Sequence, residues 1–315
     1  MRDGRATDGG QPTASTGASA GSPDAESTDD AGNAGRAAVA AAWQDLVVVA
    51  TRELRTVART PALVAISIGF AASVFGVAWA GTGAGGGFVP LTLDLLTFVE
   101  VLVPLLSVAF GYRSILGDRR TGELDVLRTF DVHRVAYVGG VYLGRALALV
   151  TLVVASLLGV GLLVPFFTAD LPTFLAINEA VDSEVRYVRF VVLSAVFTLV
   201  VLAATVAISA ATRTLRAALA LAVALVLALV LGFDTALVAG LAGGAISDGG
   251  LAVLVAGSPN SAYRGLVLSA AVGVVGGTDV AAGTPVVNLV GLATWWLLSI
   301  SVAVWRVWPV VERSE

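Results

Sequence analysis

The residues best equipped for chemistry are charged groups gathered between two long apolar stretches: Asp118, Arg119, Arg120, Glu123, Asp125, Arg128, Asp131, His133 and Arg134. Among them stand Gly122 and three apolar residues, Leu124, Leu127 and Phe130, that fall within about one face of a helix. The spacing predicts a short amphipathic helix over 118–131 with no membrane to span. Such a helix can dock into a groove on another protein, its apolar ridge giving affinity and its charges giving register. It can equally be an ordinary charged loop that sets membrane topology.

Absences narrow the chemistry further. All 19 basic residues are Arg, and no Lys occurs. A P-loop ATPase needs its Lys on the β/γ-phosphates, and a Ser-Lys hydrolase needs a Lys base, so neither fits. With no Cys there is no disulfide, thiolate nucleophile or Cys-ligated metal. Met1 and His133 are the sole Met and His, so no metal site is expected and a copper path would lack its usual ligands. No catalytic residue is assigned.

Two charges fall inside apolar stretches, where charge is costly and therefore a functional candidate. Glu100, shortly before Pro104, can contact cargo or a gate, or lie near the outer interface, paired with an Arg or wetted. Arg145 can act within the membrane or snorkel its guanidinium outward.

The elements that must position these groups are transmembrane helices. The chain is 57% hydrophobic and 13% charged with a mean hydropathy of +0.88, outside the range of soluble domains. An all-α integral membrane fold follows, with six spans near 61–80, 94–115, 137–164, 188–211, 216–234 and 286–307. Residues 1–42, rich in Gly, Ala, Ser, Thr and Asp, read as a disordered acidic cytoplasmic tail with no signal-peptide pattern. From Trp43 to Thr60 an amphipathic helix at the membrane surface is expected, with Trp43, Leu46, Val47, Ala50, Leu54 and Val57 on its apolar face. Asp45, Arg52, Glu53, Arg55 and Arg59 lie mostly off that face. Residues 235–285, apolar but broken by Gly and Pro, read as short re-entrant helices or as two more spans.

The Arg residues flanking the spans place both termini in the cytoplasm of a multi-pass plasma-membrane protein. Arg186, Arg189 and Arg264 are exceptions on the outer side. Small residues at Ala203, Ala204, Ala207, Ala210 and Ala211 permit close packing, within the chain or between two copies. Arg without Lys and acidic exposed segments fit a salt-adapted, haloarchaeal-type prokaryote.

Asp118, Gly122, Leu124, Leu127, Arg134, Gly140, Gly144 and Arg145 resemble a stretch after the second helix of ABC-2 type permeases. Glu123, Asp131 and Val141 depart from that pattern. Arg52-Glu53-Leu54-Arg55 through Arg59 is similar to the elbow that opens such permeases, and Ser258-Pro-Asn-Ser-Ala-Tyr-Arg264 to a segment of the NosY-type branch, which serves nitrous-oxide reductase maturation. The resemblance implies a 43–315 transmembrane domain that dimerises and binds a separate ABC ATPase carrying ATP and Mg. Residues 118–134 would then be its coupling element, with an extracytoplasmic accessory protein as a further partner. Against it stands an ion-driven secondary transporter or channel, which should show internal repeats and several midplane charges.

Overall fold

The computed structural model describes residues 23–81, 86–129, 132–167, 183–232, 235, 257–272 and 285–308. By internal contacts the chain divides into Met1–Ala41 and Ala42–Glu315. The described residues are helical, without strand.

Helix α1 runs Pro23–Arg59. The described part of the expected tail is helical from Pro23, and its Ala-rich run at 37–42 has high helix propensity. Residues 1–22 of that tail lie outside the described residues. Thr60 ends the helix in an extended conformation (φ −87°, ψ 106°), as the residue before a proline must. Pro61 then opens α2, Pro61–Ala80.

Next come α3 (Phe88–Gly111), the short α4 (Ser114–Thr121) and α5 (Glu123–Thr129), α6 (Arg134–Gly161) and α7 (Val164–Phe167). After them follow α8 (Glu184–Ala211), α9 (Leu215–Leu227, extended by a π-helical turn to Gly232), α10 (Pro259–Val267, likewise extended to Val272) and α11 (Pro285–Arg306). Among the described residues six helices are long and apolar enough to cross a membrane, beginning at Pro61, Phe88, Arg134, Glu184, Leu215 and Pro285. These are the six spans read from hydropathy, although α3 starts at Phe88 rather than 94 and so takes Asp94 inside the helix instead of at its end.

The centre of the bundle is α8, packed against α11, α3, α6 and α10. Ala203, Ala204, Ala207 and Ala210 are all buried in it, so this small-residue stripe serves packing within the chain. By contrast, α2 buries only one line, Phe70, Val74 and Ala78, and presents residues such as Ile68 outward.

The segment at 235–285 is described only at 235, 257–272 and 285. There α10 is too short to span; it tucks against α8, α11 and α3. The rest of the segment, and with it the re-entrant reading, lies outside the described residues.

Candidate functional site

The predicted single helix over 118–131 is two helices. Gly122 separates them at φ +76°, a left-handed conformation natural to glycine, and its N–H bonds the Arg119 carbonyl as it closes α4. The apolar ridge also turns the other way. Leu124 is 4% exposed within the main core and Leu127 packs against it, so both anchor α5 to its own bundle. Val126, 55% exposed, and the exposed Arg120, Asp125 and Thr129 make up the outer surface. The side chain of Arg128, and Phe130 and Asp131, lie outside the described residues.

Two consecutive residues fasten this hairpin in opposite directions. Asp118 accepts a hydrogen bond from the Tyr137 hydroxyl of α6 at 2.7 Å and an ion pair from Arg52 of α1 at 2.6 Å. Arg119 turns away from them. Its guanidinium donates to the carbonyls of Ala210 (2.9 Å) and Thr212 (2.6 Å) at the end of α8, and to Arg306 and Val307 (both 3.2 Å) at the end of α11. The last carbonyls of a helix have no intrahelical partner, so one Arg here caps two helices at once. From α8, the Ser209 hydroxyl accepts the Ile115 and Leu116 N–H groups at 3.0 Å each, capping the start of α4.

The elbow meets the same assembly. Val49, Glu53 and Val57 form the buried line of α1, so Glu53 faces inward, contrary to its expected place among the off-face charges. At 2% exposure its carboxylate requires a partner, which Arg145 supplies: Nε and Nη2 lie 2.8 and 2.7 Å from Oε2. Arg145 therefore does not snorkel outward; it also donates to the Phe110 carbonyl near the end of α3. Arg52 bonds Glu53 (3.0 Å), Asp118 and Glu123. Partial burial pulls the Arg52 pKa down, but these carboxylates outweigh it and hold it above its ordinary value. The guanidinium stays charged.

Gly140 and Gly144 make this meeting possible. A Cβ at Gly140 would lie 2.6 Å from that of Val49, and one at Gly144 would lie 2.7 Å from that of Glu53. Only glycines four apart on α6 let the α1 backbone come this close. Outside the cluster, Leu54 is half-buried and Arg55, Arg59 and Arg134 are exposed. His133 caps α6, Nδ1 accepting the Val135 N–H at 3.4 Å.

The second intramembrane candidate, Glu100, is apart from this site. Arg264 of α10 grips it through Nε (2.8 Å) and Nη2 (2.5 Å), while neighbouring Tyr263 stacks on Phe197 and shares a 2.8 Å hydrogen bond with Ser194. Of the two alternatives at the interface, paired or wetted, Glu100 is in the paired state. Tyr137, Ser209 and Arg264 were missed as site residues. Only Arg264 left a signal, as a cation on the face where cations are rare.

Fold and charge distribution define the class: a multi-pass helical membrane protein whose cation-rich end carries a braced pair of short helices. Residues 15–306 match the family model described as ABC-2 family transporter protein, and the chain belongs to that family. It is a multi-pass membrane protein of that family. It is also 36% identical over 118 residues to the "Probable ABC transporter permease protein NosY" of Pseudomonas aeruginosa, and 34% identical over 118 residues to the protein of that name in Stutzerimonas stutzeri. Each match covers 36% of this chain and 42% of the relative, so the chain spans about two fifths of the length of these curated relatives.

Proposed function

We propose that the chain is the permease of an ABC exporter, working as a homodimer with a separate ATPase that docks on the α4–α5 hairpin. The observation that carries this reading is the bracing of the hairpin: Asp118 ties it to α1 and α6, Arg119 to α8 and α11. A push on its outer face would reach four helices together, and a flexible charged loop could not transmit one. In this reading the Arg-rich end and both termini face the cytoplasm of the plasma membrane, and ATP and Mg²⁺ reside on the ATPase. The permease does no covalent chemistry; it converts closure of the ATPases into movement of helices.

Likeness to permeases named NosY, together with the Ser258–Arg264 segment, supports a NosY-like role that involves an extracytoplasmic partner. With no Cys and one Met and one His, any copper role is indirect, exerted as force on that partner. Tight copper binding by the purified permease alone would rule this out.

Reconstitution of the chain in nanodiscs with the ABC ATPase that it captures in a pull-down provides the test. Val126→Asp with Asp125→Arg should reduce ATPase capture and stimulation of hydrolysis about tenfold, with thermal unfolding unchanged. Undiminished capture by that variant would refute docking on the hairpin.

A further inference from the structure

Beside the hairpin, at the ends of α8 and α11, lies a cavity of about 370 Å³ bordered by Arg119, Arg213, Arg306, Trp305 and Trp308. Its volume falls within the roughly 300–1,000 Å³ of small-molecule sites. We propose that it binds the phosphate headgroup of an anionic phospholipid.

The electrostatics point to an anion. Two helix C-termini contribute about −0.5 charge each, so three guanidiniums leave an excess of about two positive charges. Arg119 spends its hydrogen bonds on backbone carbonyls, yet keeps its charge. Among the described residues no carboxylate lies within ion-pair distance of Arg213 or Arg306. Arg306 instead lies over the Trp305 ring, 4.7 Å from its centroid. A fourth donor is waiting as well: among the described residues the buried Trp308 indole N–H has no hydrogen-bond partner, and a buried donor left unmet is costly. A phosphate oxygen would satisfy it.

Position selects a lipid over a soluble anion. The cavity sits where three membrane-spanning helices end, at the level of headgroups, and Trp305 is largely exposed there as interfacial tryptophans are. Cationic pockets between helices at this depth recognise anionic headgroups. The walls beyond the arginines are mainly apolar, including Ala210 and Ala211, which suits the glycerol and first acyl carbons of a lipid.

The test uses the full chain, purified in detergent and exchanged with phosphatidylglycerol or phosphatidylcholine, with retained lipid counted by native mass spectrometry. Phosphatidylglycerol should be retained selectively. Arg213→Gln with Arg306→Gln should weaken retention about 30-fold, two surface cations at about fivefold each. The charge-keeping pair Arg213→Lys with Arg306→Lys should retain most of it. Arg216→Gln, an exposed cation away from the cavity, should retain all of it and so separates the site from general attraction. Equal loss in all three variants, or no preference for phosphatidylglycerol, would overturn the proposal. It is equally overturned if millimolar inorganic phosphate occupies the site while the lipid does not, or if the Gln pair loses only ATPase capture.

Discussion

Glu53 and Arg145 show how a charge inside a helical bundle is read. Each alone would be a liability, and together they hold α1 to α6 and α3. Replacing one partner strands the other, so Arg145→Met should destabilise by about 3–5 kcal/mol. Pairing it with Glu53→Gln should cost distinctly less than the two single losses added, and thermal unfolding in detergent of the four-protein cycle measures the coupling. Arg145→Lys should recover little, because an ammonium cannot reach the Glu53 carboxylate and the Phe110 carbonyl in the same planar geometry. The Glu100–Arg264 pair is asymmetric: the carboxylate is 3% exposed and the guanidinium 41%. Arg264→Met leaves a dry carboxylate, whereas Glu100→Gln leaves a cation that reaches the surface. The first should unfold at clearly lower temperature than the second, and the reverse order would contradict the burial seen here.

At the scale of elements, the glycines of α6 and of the hairpin do different work. Gly140 and Gly144 are demanded by proximity, Gly122 by backbone conformation. Because the chain has no native Cys, the α1–α6 contact can be probed with one introduced pair, Leu46→Cys with Gly139→Cys, placed where a Gly139 Cβ would lie 3.3 Å from the Leu46 side chain. This pair should oxidise readily, and adding Gly144→Val should abolish the cross-link by pushing α1 away. Leu124→Ala should cost about 2–5 kcal/mol as a core truncation, a loss of stability that the exposed Val126→Asp does not share. Unequal effects of these near neighbours in thermal unfolding would separate the anchoring side of α5 from its outer surface.

For the molecule as a whole, charge asymmetry and packing run along one axis. Hairpin, helix C-termini and arginine cavity share one end, while α10 with Arg264 packs among the N-terminal halves of α3, α8 and α11. Arg120→Cys and Val185→Cys, both exposed, should therefore react with a membrane-impermeant maleimide from opposite sides of sealed vesicles. Labelling of both from one side would contradict the proposed topology. Central α8 is buried over most of its length, whereas α2, α9 and α11 are each buried over less than a quarter, so displacing α8 would disturb the most packing.

Much of this was legible in the residues themselves. Length and hydropathy of the apolar runs marked six spans, because an apolar run of about 20 residues crosses lipid as a helix that satisfies its own backbone. The glycines and charges of 118–145 also marked the site by resemblance. Tertiary structure alone decided which way those side chains turn. A helical period places Glu53 beside Arg52, but whether a face meets lipid, water or another helix depends on neighbours distant in the chain: Arg145 lies 92 residues from Glu53, and Arg306 lies 187 from Arg119. For the same reason Leu124 read as a docking ridge and proved to be core. Amphipathicity records that a face is buried, and only the packed bundle says against what.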